Sequence, residues 1–133
     1  MGQCYSINLH IKVKDKKGAI KALQQKIAHG KEDHTNYSLD HYKEIGITPD
    51  NLIDLLRIIF GGWDGRLNLT NLKTPGFATY QSDFECCYGW EGIMIDAFNV
   101  VGPYLEDGSS ISIYPDSGVD KAVVKDGKVK WIS

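Results

Sequence analysis

Apolar and polar side chains alternate over residues 5–13, which is the pattern of a β-strand with one buried face. The apolar side chains of one face are Tyr5, Ile7, Leu9, Ile11 and Val13. The polar side chains of the other face are Ser6, Asn8, His10, Lys12 and Lys14. We therefore predict a first strand whose inner face lies in the core.

Three helices are predicted from apolar periodicity and capping signals. The first runs from an N-cap at Asp15 to about residue 29, and the polar stretch 31–47 after it is predicted to be a long loop. The second begins at "TPDN", with Thr48 as the N-cap and Pro49 at the first helical position.

The second half of the chain combines strand and helix signals. Two strands are predicted near residues 66–70 and 77–86. The third helix covers residues 90–101, because apolar side chains recur there at i, i+3, i+4, i+7, i+8 and i+11. A further strand, "SSISIY", precedes the last part of the chain.

The last part of the chain, "KAVVKDGKVKWI", predicts a β-hairpin. Asp126–Gly127 is a favoured two-residue type I′ loop. The register that follows from this loop pairs Val124 with Val129 and Ala122 with Trp131. These four side chains are therefore expected on the core face.

The predicted order β-α-α-β-β-α-β-β-β indicates an α+β fold. We expect an antiparallel sheet of about five to six strands, with three helices packed mainly on one face. A length of 133 residues suits one domain, so residues 1–133 are expected to form a single α+β domain.

The cysteine count bears on the compartment. Three cysteines are too few, and an odd number, for a secreted disulfide framework, which favours a reducing environment. No apolar run approaches the roughly 20 residues of a membrane-spanning helix, and no signal segment is recognisable. These features predict a cytoplasmic location and no membrane partner.

The stretch "FECCYGWEG" gathers two cysteines, aromatic residues and carboxylates. Adjacent residues of a regular strand point to opposite faces, so Cys86 and Cys87 are not expected to ligate one ion. Zinc-ligand spacing is also missing, and the sequence predicts neither a metal nor a cofactor. Cys86 is expected to be a small core residue, whereas Cys87 precedes a helix whose dipole can lower a thiol pKa.

One hypothesis is a small-ligand site or a small enzyme built on this stretch. Its candidate residues are Asp83, Glu85, Cys87, Tyr88, Trp90 and Glu91. The alternative is that these side chains pack the core, complement the helix dipole or keep a strand face charged. No histidine lies near Cys87 in the sequence and no catalytic motif is recognisable, so the chain is more typical of a non-enzymatic protein.

Charge is segregated along the chain, although the formal net charge is only −2. Residues 1–31 carry seven lysines and one aspartate, and residues 121–133 carry four lysines and one aspartate. Residues 32–120 carry fifteen acidic and four basic residues. The acidic total, the presence of only two arginines and the lack of a recognition motif argue against nucleic acid as a partner.

The hairpin register places four lysines opposite the core, and a neighbouring first strand would extend them into one lysine patch. Such a patch, with an exposed tryptophan as an anchor, predicts a protein–protein surface. The candidate partner-binding residues are Lys12, Lys14, Lys121, Lys125, Lys128, Lys130 and Trp63. The alternatives are a solvated sheet whose lysines block edge pairing, and a homo-oligomer closed through sheet edges.

Two stretches, "SDFECCYGWEGIMIDAF" and "PYLEDGSSISIYPDSGVDKAVVKDG", resemble short proteins encoded by phages and mobile elements of Gram-positive bacteria. The similarity covers about the second half of the chain. That group has no established activity, so no site residue follows from the resemblance. The resemblance implies a bacterial cytoplasm and an accessory role, in which a host protein such as a defence enzyme is bound and modulated.

Overall fold

The computed structural model describes residues 2–70 and 75–132, and its architecture is α+β. The strands are β1 (Gln3–Ile11), β2 (Asn68–Leu69), β3 (Ala78–Cys86), β4 (Ser110–Tyr114), β5 (Asp120–Lys125) and β6 (Lys128–Ile132). The helices are α1 (Lys16–Ala28), α2 (Leu39–Glu44), α3 (Leu52–Phe60) and α4 (Trp90–Val101), and a 3₁₀ turn follows at Gly102–Tyr104. The six strands form one antiparallel sheet in the order β2-β3-β1-β4-β5-β6. The α+β prediction is thereby confirmed.

β1 lies inside the sheet and pairs with β3 on one side and β4 on the other. Its apolar residues alternate inward as the sequence pattern predicts, and they are at most 6 % exposed: Tyr5, Ile7, Leu9 and Ile11. The strand begins and ends two residues earlier than predicted. Val13 lies beyond its end and forms an isolated bridge with Leu105.

The core lies between one face of the sheet and the three longer helices. Helix residues with little or no exposed surface include Leu23 of α1, Leu55 and Ile59 of α3, and Met94 and Phe98 of α4. The other face of the sheet, which we call the open face, carries polar and charged side chains along β1, β3, β5 and β6.

The cap of α3 differs from the prediction. α3 begins at Leu52, and Asn51 is its N-cap, with a side chain that accepts a hydrogen bond from the N–H of Asp54 at 2.9 Å. Thr48 and Pro49 precede the helix. "TPDN" contains four residues that suit helix starts, and the sequence alone does not rank them. The other predicted cap is confirmed, because the carboxylate of Asp15 accepts from the N–H of Gly18 at 3.0 Å.

The prediction of a continuous loop over residues 31–47 is wrong, because the six-residue helix α2 lies within it. Ser38 precedes α2 in a left-handed conformation, with φ of 53°, and its side chain makes no capping hydrogen bond. A helix of this length without a side-chain cap leaves little periodicity in the sequence. Tyr42, which is 5 % exposed, ties α2 to the core.

The terminal hairpin has the predicted register. Asp126 and Gly127 have φ angles of 54° and 74°, as a type I′ loop requires. The carboxylate of Asp107 accepts hydrogen bonds from the N–H groups of both loop residues, at 2.9 and 3.2 Å. These two hydrogen bonds lower the pKa of the Asp107 carboxyl group, and the nearby charges of Lys14 and Lys125 contribute less.

The helices of the described residues are too short or too polar to cross a membrane.

Replacing Asn51 with alanine is expected to lower the free energy of unfolding by about 1 kcal/mol, because the N–H of Asp54 loses its side-chain acceptor. Thr48→Ala is the matched control, since Thr48 contacts the Asp54 carboxylate through its backbone N–H alone. The control is expected to change the free energy by less than about 0.5 kcal/mol. Urea denaturation measures both variants, and a larger loss at Thr48 would contradict the observed cap.

Candidate functional site

Four lysines of the β5–β6 hairpin point to the open face, and we call them the hairpin lysines. Lys121, Lys125, Lys128 and Lys130 are all exposed, and Lys125 lies directly opposite Lys128 in the register. The ion pairs found in the described part of the chain include none of them. The Nζ atom of Lys121 lies 5.8 Å from the ring centroid of Tyr114. The hairpin therefore presents four positive charges to solvent.

The strand order does not meet the condition for a single lysine patch, which was that β1 should lie next to the terminal hairpin. β4 and β5 separate β1 from β6, so these strands are about 14 Å apart across the sheet. The reason is that the chain before β4 returns beside the end of β1, where the N–H of Glu106 donates to the carbonyl of Lys12 at 2.8 Å. Lys12 and Lys14 are exposed beyond that end. Lys14 still comes near the hairpin, since Lys14 and Lys125 both lie close to Asp107.

Asp83 and Glu85 lie on the same open face but on the other side of β1. Both are exposed, and the Oγ of Ser6 donates to Asp83 Oδ1 at 2.5 Å across the β1–β3 pair. The open face is therefore acidic along β3 and basic along β5 and β6, with uncharged polar residues on β1 and β4 between them.

A cavity of about 390 Å³ lies where α2, α3, β3 and α4 meet, and we call it the aromatic cavity. It brings together four of the residues singled out in the sequence: Trp63, Glu85, Cys87 and Trp90. The other lining residues are Asn36, Tyr37, Ser38, Tyr42, Ile58, Gly62 and Cys86. Four aromatic side chains from three separate parts of the chain thus share one concave surface.

Hydrogen bonds to backbone carbonyls hold two of the cavity walls in place. The indole N–H of Trp90 donates to the carbonyl of Ile59 at 2.9 Å, which joins α4 to α3. The hydroxyl of Tyr42 donates to the carbonyl of Gly62 at 2.6 Å, which joins α2 to the end of α3. Gly62 has a φ of 71°, and a Cβ there would lie 2.4 Å from the Cβ of Phe84. Only glycine allows this close approach of the 61–65 loop to β3.

Trp63 lies at the edge of the aromatic cavity, and its side chain is 60 % exposed. The ring of His41 stacks on it with a centroid distance of 3.5 Å and an interplanar angle of 9°. The Nε2 of His41 donates to the backbone carbonyl of Trp63 at 2.7 Å. His41 therefore fixes the orientation of the indole and covers one of its two faces.

Tyr37 forms an inner wall of the aromatic cavity. It packs edge-on against Trp90, with ring centroids 5.9 Å apart and an interplanar angle of 69°. Its hydroxyl group is buried and has no hydrogen-bond partner among the described residues. Burial raises the pKa of this hydroxyl to about 12, so the tyrosine is uncharged at neutral pH.

The two adjacent cysteines do not point to opposite faces, contrary to the expectation for a regular strand. β3 ends at Cys86, and the Sγ atoms of Cys86 and Cys87 lie 3.9 Å apart. Both thiols are free. Burial raises the pKa of the Cys86 thiol to about 11, and the neighbouring Cys87 adds to that rise. Within residues 2–70 and 75–132, no three histidine, cysteine or carboxylate side chains cluster as a metal site would require.

Two further candidate ligand-binding residues from the stretch "FECCYGWEG", Tyr88 and Glu91, lie outside the aromatic cavity. The carboxylate of Glu91 accepts hydrogen bonds from the hydroxyl of Tyr5 at 2.6 Å and from the Nε2 of Gln3 at 3.2 Å. Glu91 therefore ties the start of α4 to β1, which is a structural role. Tyr88 is 67 % exposed and lines a neighbouring cavity of about 330 Å³ together with Cys87 and His34.

The sequence did not point to Tyr37 or Tyr42 as site residues, and it suggested His41 only as a possible metal ligand beside His34 rather than as a partner of Trp63. Tyr37, His41 and Tyr42 lie in the polar stretch that was predicted to be a loop, and two tyrosines among charged residues were the available signal. Tyrosine commonly places an apolar ring against other apolar groups while its hydroxyl finds a polar partner.

The chain matches no protein-family model, no curated protein and no solved structure.

Tyr5→Phe is expected to lower the free energy of unfolding by about 1.5–3 kcal/mol, because it removes a hydrogen bond to the Glu91 carboxylate. Tyr37→Phe removes a hydroxyl without a described partner, so it is expected to leave that free energy within about 0.5 kcal/mol or to raise it. Urea denaturation at pH 7 distinguishes the two variants. A loss at Tyr37 as large as that at Tyr5 would contradict these hydrogen-bond assignments.

Proposed function

We propose that the protein is a non-enzymatic binding protein that engages an acidic surface of a protein partner through its hairpin lysines. The observation that carries this proposal is the presence of four exposed lysines on one face of the β5–β6 hairpin. Complementary charge guides the encounter of two proteins and fixes their relative orientation.

One pair of hairpin lysines is directly opposed in the isolated protein. Like charges directly opposite each other in an antiparallel pair are destabilising, and Lys125 and Lys128 occupy such a position. A partner that supplies carboxylates would relieve this repulsion. Relief of this repulsion would add to the affinity of the hairpin for an acidic partner.

The fold holds the hairpin in place from its inner face. Ala122 and Val124 are buried in the core, and the indole N–H of Trp131 donates to the Oδ1 of Asn99 on α4 at 2.7 Å. The hydrogen bonds from the 126–127 loop to Asp107 fix the tip. These contacts involve only the inner face and the tip of the hairpin. The hairpin lysines can therefore be substituted while the hairpin stays folded.

We propose the nature of the partner on the basis of the resemblance of the second half of the chain to short proteins of phages and mobile elements. On that basis the protein acts in a bacterial cytoplasm as an accessory protein. Its partner is then a host protein, such as a defence enzyme, whose activity it modulates.

Reversal of three hairpin lysines is expected to weaken partner capture by about tenfold or more, because the favourable charge pairs become repulsive. The experiment compares wild-type protein with the Lys125→Glu, Lys128→Glu, Lys130→Glu triple variant as bait in a host lysate, read by mass spectrometry. The thermal unfolding midpoint of the triple variant establishes that it is folded.

The matched control reverses Lys16, Lys17 and Lys21, which are exposed on α1 and give the same change in net charge. This control is expected to capture the partner as the wild type does. Equal capture by the hairpin variant, or equal losses in both triple variants, would contradict a specific role for the hairpin lysines.

A second candidate function is small-ligand binding, or a small enzyme activity, in the aromatic cavity. The observation that favours it is that Trp63, Glu85, Cys87 and Trp90 line one cavity of about 390 Å³, a volume typical of small-molecule sites. A thermal-shift screen of small molecules is expected to find compounds that stabilise the wild type but not a Trp63→Leu variant. Compounds that stabilise both proteins equally would bind elsewhere and would count against this candidate.

A further inference from the structure

We propose that the aromatic cavity binds an organic cation, namely an alkylammonium or guanidinium group. The proposal deepens the second candidate function and rests on the aromatic cavity being a ligand site. It is independent of the hairpin lysines, which lie towards the opposite edge of the sheet.

The walls of the aromatic cavity are rich in aromatic residues. Those that line it are Tyr37, Tyr42, Trp63 and Trp90. The face of an aromatic ring is electron-rich and attracts a cation, with tryptophan the strongest of these rings. Tyr37 packs edge-on against Trp90, and both Tyr37 and Tyr42 are only 5 % exposed, so these tyrosines support the wall from behind. The rings that a ligand can reach are those of the exposed Trp63 and the half-buried Trp90.

Trp63 is held in a fixed orientation and remains largely exposed. His41 covers one face of its indole ring, yet 60 % of the side chain remains exposed. The stack and the hydrogen bond from His41 Nε2 to the carbonyl of Trp63 hold the ring in this position without a ligand. Because the indole ring is already ordered, it loses little conformational entropy when a ligand packs against the face that His41 leaves uncovered.

The charge around the cavity also bears on the ligand. Among the described residues that line the aromatic cavity there is neither a lysine nor an arginine. Burial raises the pKa of the Tyr42 hydroxyl to about 12, and the nearby Cys86 and Asp64 add to that rise, which places the Asp64 carboxylate close to this wall. A nearby carboxylate and a lining without cationic side chains favour a positive ligand over an anion.

The three tryptophans of the chain provide a direct measurement. Each indole N–H gives its own signal in a ¹H–¹⁵N NMR spectrum. Trp63 and Trp90 line the aromatic cavity, whereas Trp131 binds Asn99 beneath the hairpin. Titration with choline is expected to shift the first two signals and to leave that of Trp131 unchanged. 3,3-Dimethylbutan-1-ol, the neutral carbon analogue of choline, is expected to bind about tenfold more weakly, because it lacks the charge.

Variants test the position of the site. Trp63→Leu is expected to weaken choline binding by about tenfold, and its exposure means that the core stays intact. Tyr114→Leu is the matched control, since Tyr114 is 42 % exposed on the open face and should not affect binding. The unchanged Trp131 signal reports that each variant is folded. A folded Trp63→Leu variant that binds choline as the wild type does would overturn the proposal.

The probes also separate the sources of the cation and the modes of failure. N-acetyl-arginine amide and a short trimethyllysine peptide represent cationic side chains of a protein, and choline represents a free metabolite. Binding of any of these cations supports the proposal, and the cation that binds most tightly identifies the source of the ligand. Equal affinity for choline and its neutral analogue would overturn the cation preference while leaving a ligand site. The absence of any shift of the Trp63 and Trp90 signals with the cations would overturn the cation site. A small-molecule screen that also finds no ligand would overturn the second candidate function as well.

Discussion

The pairing of β1 with β3 on one side and β4 on the other is the contact on which the rest of the structure depends. The strict alternation of β1 buries its apolar side chains beneath the helices and leaves its polar side chains on the open face. A shift of the register by one residue would exchange these two faces. The same strand carries Tyr5, whose hydroxyl binds Glu91 and so fixes α4 next to the aromatic cavity.

Features of the fold that depend on residues close together in the sequence could be predicted. The 126–127 loop, the Asp15 cap and the apolar stripe of α4 each have their signal within a few residues. α2 escaped prediction because it is short and has no side-chain cap. The strand order could not be predicted, since it depends on contacts such as that between Lys12 and Glu106, which are far apart in the chain.

The two candidate sites differ in how much of each could be predicted from the sequence. The hairpin lysines share a face because of strand alternation, so their common exposure could be predicted, whereas their separation from Lys12 needed the strand order. The aromatic cavity depends on long-range hydrogen bonds, such as that from Trp90 to the carbonyl of Ile59. The sequence suggested Trp63 and Trp90 as separate features, and only the fold joins them with Tyr37 and Tyr42.

The proposed function requires that the hairpin lysines, on the open face of the β5–β6 hairpin, contact a protein partner. Hydrogen–deuterium exchange, measured by mass spectrometry on the protein alone and in complex with its captured partner, locates that contact. We expect the partner to slow amide exchange in residues 120–132. Protection confined to residues 33–42 and 85–93, around the aromatic cavity, with residues 120–132 unchanged, would show that the hairpin is not the contact surface.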